Sequence, residues 1–396
     1  MPEKSISYQG YLLHKTSGDS KMVTKMAPDA ISNDESTPME EVRVIDKQSF
    51  EYVIRSGIAG GIAGSAAKTL IAPLDRVKIL FQTSNPDFLK YRGKFFGLFR
   101  ASKQIWLNDG IYGLFQGHSV TLMRIFPYAA IKFVAYEQIR AVLIPDDLYE
   151  TAIRRIMAGS FSGLLSVFFT YPLDLVRVRM AFETKSLRQK HNFGSTNRRG
   201  MLHMTIRNIF NETPPMIVND STWLAQVRNR LPPRVASISN FYRGFAPTIL
   251  GMIPYAGVAF YTHDLIHDMF RSKYLSKYAV SNSVAIQNVV KSNGTTTSRD
   301  SRPPLRVYAQ LCAGGIAGMC SQTAAYPFEV IRRRMQVGGT VNQGRFLSFT
   351  DTGKLIIKES GVRGLFVGLS IGYLKVIPMA ACSFFVYERC KLLIGI

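Results

Sequence analysis

Cysteine, tryptophan and acidic residues are scarce in this sequence. Its 396 residues include four cysteines, none in a Cys-x-x-Cys pair, two tryptophans, and 27 acids against 49 Lys and Arg. So few cysteines exclude a disulfide-rich secreted scaffold and a cysteine-ligated zinc cluster. The glycine-rich stretch 57–64 lacks the Gly-Lys-[Ser/Thr] ending of a P-loop. We predict a protein with no metal, no cofactor and no enzymatic activity.

The first 49 residues lack both common types of targeting segment. They contain no apolar stretch of the kind found in secretory signals, and their eight acids against six bases differ from an Arg-rich, acid-poor mitochondrial presequence. We predict that residues 1–49 form a disordered polar tail. Because this tail contributes −2 to the formal net charge of +22, the rest of the chain carries +24.

Strong positive charge is combined here with high apolar content. The chain is 46% apolar, its mean hydropathy is +0.04, and it has 25 Phe and 18 Tyr. A disordered basic chain would be more polar and poorer in aromatic residues. A nucleic-acid-binding protein would place its bases on a soluble face, whereas many bases here lie within or beside apolar runs. We predict apolar spans joined by basic loops, and no nucleic-acid partner.

Six stretches are long and apolar enough to cross a membrane. They are rich in Gly, Ser and Pro, and several contain a central proline. A central proline costs a soluble helix roughly 3 kcal/mol, but membrane helices accommodate it when neighbouring groups satisfy the backbone. Glycines four residues apart, such as Gly60 and Gly64, predict close helix packing in lipid. The six stretches are 53–72, 114–136, 156–173, 245–262, 308–328 and 365–386.

A motif of the form Pro-x-acid-x-x-base ends three of these stretches. Each motif is followed, one loop later, by another span with its own proline. Ten residues past that proline lies an acid, and three further on a base or histidine. This self-similarity predicts three repeats of two helices each. The motif charges are Asp75 and Lys78, Asp174 and Arg177, and Glu329 and Arg332; the later charges are Glu137 and Arg140, Asp264 and His267, and Glu388 and Lys391.

The proline spacing also locates two insertions. The two prolines of a repeat are 54, 82 and 51 residues apart, so the second repeat contains about 28 additional residues. A similar excess separates the second repeat from the third. Both segments are rich in Ser, Asn, Thr or Pro and are predicted to be loops. We assign repeat 1 to 50–145, repeat 2 to 150–271 with its insertion at 183–240, a linker insertion to 272–304, and repeat 3 to 305–396.

The repeated motif resembles the signature of the mitochondrial carrier family, and the resemblance covers residues 50–396. The acid-Gly and aromatic-x-Gly half of the signature is present as Asp109-Gly110 and Phe115-Gln116-Gly117, and it is degenerate in the other repeats. The resemblance implies an all-α membrane protein of six transmembrane helices in three pseudo-symmetric repeats around a central cavity. It further implies a functional monomer in the mitochondrial inner membrane, in contact with lipid such as cardiolipin.

The resemblance also implies two rings of ion pairs that act as gates. The usual base is replaced by His267 in the cytoplasmic ring, which weakens that gate when the imidazole is neutral. His267 also lies four residues after His263, a spacing that suits a metal, but the gate role is favoured. The matrix ring would pair Asp75 with Arg177, Asp174 with Arg332 and Glu329 with Lys78. Gln82 and Gln336 would support this ring as braces, that is, glutamines that hydrogen-bond to the pairs, and Ala181 stands where a third brace is missing. The cytoplasmic ring would pair Arg140 with Asp264, His267 with Glu388 and Lys391 with Glu137.

Three positions are candidates for a substrate site near the membrane midplane. Arg124, Gly251 and Lys375 each stand three residues before the proline of their span. A charge at this depth costs about 2.5–3.5 kcal/mol, and neither base has an acid nearby in sequence. Lys68, two helical turns before Asp75, is a further candidate. Convergent bases predict an anionic substrate, and phosphate suits arginine particularly well.

Within the family, the candidate site resembles that of carriers for adenine-containing substrates. By this resemblance Gly251 and Met252 would receive the flat ring, because glycine allows close approach. Lys68 matches a lysine of the ADP/ATP carriers, but Met335-Gln336-Val337 departs from their run of methionines. Segments 124–130, 251–257 and 321–329 are instead similar to the fungal coenzyme A carriers. The expected substrate is coenzyme A, and the alternatives are adenosine 3′,5′-bisphosphate or ADP/ATP.

A carrier-like receptor that does not transport is a further alternative. The presence of both predicted gate rings argues against it, because a receptor has no need to open and close a path through the membrane.

Overall fold

The described part of the chain contains six long helical segments. The computed structural model describes residues 11–14, 21–25, 43–44, 50–94, 96–145, 151–190, 198–212, 232–272, 274–279, 305–341 and 347–395. The first five long helices are α1 (Phe50–Gln82), α4 (His118–Leu143), α5 (Ala152–Phe182), α9 (Phe245–Arg271) and α11 (Val307–Val341). The sixth segment consists of α13 (Leu369–Leu374) and α14 (Val376–Ile394).

The sixth segment is interrupted at Lys375, which forms a turn between α13 and α14. Pro378 follows three residues later. Because proline has no N–H and its ring crowds the carbonyl four residues earlier, it disfavours a regular helix at Leu374. The break therefore lies at one of the candidate substrate positions.

Shorter helices connect the long ones. They are α2 (Gly97–Asp109), α3 (Ile111–Leu114), α6 (Lys185–Lys190), α7 (Arg198–Asn211), α8 (Pro233–Ser239), α10 (Ser276–Ala279) and α12 (Phe349–Ser360), with 3₁₀ turns at Pro86–Tyr91, Asn240–Tyr242 and Val362–Phe366. Three of them are equivalent across the repeats. Each buries an isoleucine and a small or hydroxyl-bearing residue one turn earlier, as Ala101 and Ile105 do in α2.

Two predictions from the sequence differ from the structure. Residues 183–240 were predicted to be a loop, but they contain α6, α7 and α8. The reason is that α7 is the second repeat's amphipathic helix: Met201 and Leu202 pack against the apolar cluster that includes Val176 and Ile209. The linker prediction for 272–304 lies mostly on residues outside those that the structure describes.

The second difference lies in the segment 1–49, which was predicted to be disordered. The structure has strands β1 (Tyr11–His14), β2 (Lys21–Lys25) and β3 (Arg43–Val44) there, paired antiparallel in this order. Leu13 pairs with Val23 and Leu12 with Thr24. β-branched and apolar residues favour strands, so this local composition offsets the acidic and polar character of the segment.

The apolar surface of the long helices fits a lipid environment. Three helical stretches of the described chain are long and apolar enough to cross a membrane: Arg154–Phe182, Ser237–Arg271 and Val362–Ile394. The other three long helices, α1, α4 and α11, have 33, 26 and 35 residues. Large apolar side chains are exposed along the long helices, such as Phe133 of α4 at 72% and Phe384 of α14 at 68%. Such extensive apolar exposure marks a membrane or partner surface.

The chain divides into two units. In the first, Ala72–Val376, α4 packs against α5 and α9 packs against α11. The second combines the segment up to Ile71 with the segment from Ile377. In this unit Arg55 Nη1 donates to the carbonyl of Ile394 at 3.0 Å, and the hydroxyls of Ser56 and Tyr387 are 3.1 Å apart.

The glycines predicted to mediate close helix packing face open space instead. A Cβ added at Gly60 or Gly64 meets no atom of the described residues within 4 Å. The buried small residues of α1 are alanines, because Ala59, Ala63 and Ala67 are at most 2% exposed. Close packing of small residues at four-residue spacing is therefore present on α1, but on a different face from the predicted one.

Candidate functional site

The three motif acids lie against bases from other repeats. Arg177 Nη2 is 3.0 Å from Asp75 Oδ2, and Lys78 Nζ is 2.8 Å from Glu329 Oε1. Arg332 Nη2 is 2.5 Å from Asp174 Oδ2. These pairs connect α1 to α5, α5 to α11, and α11 to α1. The structure thus brings together the three matrix-ring pairs that the signature predicts, and their role as a gate remains a prediction.

Two of the three pairs are braced by a glutamine and a tyrosine. Gln82 Nε2 donates to Tyr326 OH at 3.0 Å and to Glu329 Oε1 at 3.2 Å. Gln336 Nε2 donates to Tyr171 OH at 3.1 Å and to an oxygen of Asp174 at 3.2 Å. The sequence analysis missed the tyrosines, although a Tyr-Pro dipeptide precedes the acid in repeats two and three. Each tyrosine hydroxyl in turn donates to a backbone carbonyl.

Glycines with a left-handed backbone allow this close packing. Gly244 has φ +80°, and a Cβ there would lie 3.0 Å from Tyr171 OH. Gly368 has φ +81°, and its Cβ would lie 3.2 Å from Tyr326 OH. Both conditions favour glycine. The aromatic-x-Gly half of the signature therefore positions the starts of α9 and α13 against the braces.

Asp174 is the most heavily coordinated acid of the ring. Its Oδ2 accepts from Arg332 at 2.5 Å, Arg333 at 3.1 Å and Gln336 at 3.2 Å, and its Oδ1 accepts from Arg124 at 2.8 Å. The side chain is 2% exposed. A buried carboxylate with several charged donors is strongly held. The sequence analysis did not predict Arg333, which follows the signature base directly.

The two candidate substrate bases are paired with two of the same motif acids. Lys375 Nζ lies 2.8 Å from Asp75 Oδ1, and Arg124 Nη1 lies 2.8 Å from Asp174 Oδ1. Neither base has an acid nearby in sequence, and the acids come from other helices. Asp75 and Asp174 each offer one oxygen to a motif base and the other to a candidate substrate base.

The other candidate substrate residues have apolar neighbours. A Cβ at Gly251 would lie 3.0 Å from Phe328 Cβ, so this glycine faces α11. Met252 packs against the apolar cluster that contains Tyr171. In the other unit, Lys68 Nζ is 3.6 Å from Met379 Sδ. Their roles in binding a substrate remain predictions.

The residues predicted for the cytoplasmic ring are arranged differently from those of the matrix ring. Glu137, Asp264 and Glu388 are exposed, and Asp264 is 80% so. In the part of the chain that the structure describes, no ion pair joins Arg140 to Asp264. His263 and His267 lie together, with ring centroids 4.1 Å apart. Closure of this ring remains a prediction.

A second set of ion pairs attaches each short amphipathic helix to a motif helix. Arg76 pairs with Asp109 at 3.3 Å, and Arg334 with Glu359 at 2.6 Å. In repeat two, Glu212 pairs with Arg179 at 2.9 Å and with Arg243 at 2.6 Å. Glu212 was not predicted from the sequence, because the insertion separates it from Gly244. The dipeptide Asn211-Glu212 matches Asn108-Asp109, a signal that could have identified it.

These contacts place the insertion of repeat two more narrowly. Asn240 Nδ2 donates to the carbonyl of Glu212 at 2.8 Å, so two residues that are 28 positions apart in sequence are in contact. The additional residues therefore lie between Glu212 and Asn240, after α7.

We expect Glu212→Ala to destabilise the protein by about 3 kcal/mol, because removing one member of a buried ion pair leaves the other charge uncompensated. Arg179 and Arg243 would both lose a carboxylate, and the side chain of Arg179 is 5% exposed. Thermal unfolding in detergent measures the change. Glu359→Ala is the matched control: Glu359 is 44% exposed and pairs with Arg334, so a smaller loss is expected. Equal losses for the two variants would contradict this account.

The fold and the site together define a class of protein. Long apolar helices in three repeats, with ionisable groups held in pairs between the helices, are features of membrane transporters.

Comparison with known sequences identifies the family. The profile of the family described as "Mitochondrial carrier protein" matches residues 50–147, 149–214, 234–274 and 303–395. The chain belongs to the mitochondrial carrier family. Members of this family are transporters of small molecules rather than enzymes, and the family implies a mitochondrial membrane. The two largest gaps in the profile match coincide with the insertions, including the one located between Glu212 and Asn240.

Three relatives illustrate the similarity. "Mitochondrial carrier protein LEU5" of Saccharomyces cerevisiae is 53% identical over 89% of this chain and 93% of that protein. Human "Solute carrier family 25 member 16" is 35% identical over 86% of this chain and 88% of that protein. "Mitochondrial carrier protein CoAc1" of Zea mays is 31% identical over 86% of each.

Proposed function

We propose that this carrier transports coenzyme A across the mitochondrial inner membrane into the matrix by alternating access. The observation that carries the proposal is the pairing of Arg124 and Lys375 with Asp174 and Asp75. Two bases at matching positions of two repeats offer an anion two positive charges. The name of the maize relative, CoAc1, is consistent with this substrate.

Coenzyme A matches the chemistry of these residues. It carries a pyrophosphate and a ribose phosphate, and arginine binds phosphate through a planar fork of donors. It also carries an adenine, for which Gly251 and Met252 are the proposed contacts, and Lys68 is the proposed third base. Adenosine 3′,5′-bisphosphate and ADP or ATP share the phosphate and adenine groups, so they are the competing substrates.

Substrate binding would be coupled to the matrix gate through the shared acids. An entering phosphate competes with Asp174 for Arg124 and with Asp75 for Lys375. Charge-assisted hydrogen bonds contribute about 1.5–3 kcal/mol each. When Arg124 or Lys375 donates to the substrate and no longer to its carboxylate, the gate is weakened by a comparable amount. A ligand can shift a conformational equilibrium only through such differential binding. The proposed transporting unit is the monomer, in contact with lipid such as cardiolipin.

Uptake into liposomes tests the proposal. Purified protein is reconstituted, the vesicles are preloaded with coenzyme A or adenosine 3′,5′-bisphosphate, and uptake of labelled coenzyme A is followed with ADP, ATP and adenosine 3′,5′-bisphosphate as competitors. Saturable uptake that ADP and ATP compete with poorly is the expected result. Vesicles without protein are the control. Nucleotide exchange without coenzyme A uptake would overturn the choice of substrate.

A further inference from the structure

The contact between α1 and α5 lacks a hydrogen bond that the other two gate contacts possess. At those contacts a glutamine four residues past the base reaches a tyrosine three residues before the acid. Between α1 and α5 the corresponding residues are Ala181 and Ala72, so both partners are missing together. These alanines are 2% and 6% exposed, so both positions are buried.

Lys375 occupies the role of the missing glutamine. At the braced contacts the glutamine is a second donor to the gate acid, as Gln82 is to Glu329 at 3.2 Å. At the unbraced contact Lys375 donates to Asp75 beside Arg177, and its Nζ lies 2.8 Å from Oδ1. Lys375 reaches this acid from the turn between α13 and α14.

The three gate acids differ in which hydrogen-bond donors they keep when a substrate binds. If Arg124 leaves Asp174, then Arg332, Arg333 and Gln336 stay on that acid. Glu329 has Lys78 and Gln82 as its donors, and neither is a candidate substrate base. If Lys375 leaves Asp75, Arg177 remains as the gate base and no glutamine is present to assist it. A substrate that captures Lys375 therefore acts on the acid of the Asp75–Arg177 pair, which is the gate contact without a glutamine.

We propose that Lys375 is the third brace of the matrix gate, and that its capture by the substrate anion loosens the α1–α5 contact before the other two. Lys375 thus acts as a positioning residue for Asp75 in the empty carrier as well as a substrate contact. The order of opening rests on the proposed function, whereas the bracing role concerns the empty protein.

The test compares melting temperatures of the full-length carrier in detergent without substrate. Lys375→Met retains the apolar stem and removes the charge, and we expect it to lower Tm by about 3 °C or more. Arg124→Met is the control, because Asp174 keeps three donors, and its expected shift is smaller. An unchanged or raised Tm for Lys375→Met would overturn the bracing role, whatever the substrate is.

A double-mutant cycle separates bracing from general packing. Ala72→Tyr with Ala181→Gln supplies the missing pair, and any cost of filling these buried positions is common to both backgrounds. The expected result is a Tm change that is more favourable in Lys375→Met than in the wild type. Equal changes in the two backgrounds would contradict the proposal, because they show no coupling between Lys375 and the brace.

The uptake rate is a measurement that a purely structural role of Lys375 would leave unchanged. In the variant that combines Ala72→Tyr and Ala181→Gln and retains Lys375, substrate still binds but no longer releases the contact. We expect the maximal uptake rate to fall at least about fivefold while KM changes less than twofold. An unchanged rate with a raised Tm would confine Lys375 to bracing and overturn the proposed order of opening.

Discussion

Arg124→Ala is expected to reduce substrate uptake by at least about 100-fold while the carrier stays folded. An arginine donates two charge-assisted hydrogen bonds to a phosphate, each contributing about 1.5–3 kcal/mol, and every 1.4 kcal/mol changes an equilibrium tenfold. Folding is retained because Asp174 keeps Arg332 and Arg333 as partners. Initial rates of uptake into liposomes, together with the melting temperature, measure both effects.

Two controls make the result specific. Arg124→Lys keeps the charge but loses the planar fork, so an intermediate reduction of about tenfold is expected. Lys103→Ala removes the same charge from an exposed position on α2 and should leave uptake near the wild-type rate. Full uptake by Arg124→Ala would remove this residue from the site. Lys375→Ala is likewise expected to abolish uptake without preventing folding.

Asp174→Asn is expected to cause the largest loss of stability among the three gate acids. The substitution leaves three guanidinium groups, those of Arg124, Arg332 and Arg333, around a neutral amide at a position that is 2% exposed. Removing one member of a buried ionic cluster costs about 3–5 kcal/mol. The melting temperature should therefore fall by at least about 6 °C.

Glu329→Gln is the matched comparison for Asp174→Asn. Glu329→Gln removes the partner of one base, Lys78, and the side chain of Glu329 is 29% exposed. Its expected loss of stability is accordingly about half that of Asp174→Asn. Both substitutions preserve side-chain size, so they differ mainly in the number of charges left uncompensated. Equal melting temperatures for the two variants would show that the additional arginines do not depend on Asp174.

The repeats and the gate pairs could be predicted from sequence because they rest on local, periodic signals. A Pro-x-acid-x-x-base motif occupies six consecutive residues, and its threefold recurrence reveals the symmetry. The three pairs centred on Asp75, Asp174 and Glu329 follow once the repeats are aligned by the family signature. Arg124 and Lys375 could likewise be predicted as candidate substrate contacts, because each is a base within an apolar run and this is visible without knowledge of the packing.

Partners that are distant in sequence could not be predicted in this way. Lys375 and Asp75 are 300 residues apart, and no local pattern relates them. Glu212 escaped detection because an insertion disrupted the spacing on which the alignment of repeats depends. Gly251 was assigned to an adenine site by resemblance to the family, and the sequence does not indicate that Phe328 is its neighbour.

The sequence by itself determined the membrane-spanning helices, the threefold repeat and the charges of the matrix ring, because hydrophobicity and motif spacing are properties of single segments. Only the tertiary structure decided how those charges are shared. Whether a carboxylate gives both oxygens to its gate base or divides them with Arg124 or Lys375 depends on which side chains from other helices reach it. That division, and the missing brace between α1 and α5, distinguish three repeats that the motif alone makes equivalent.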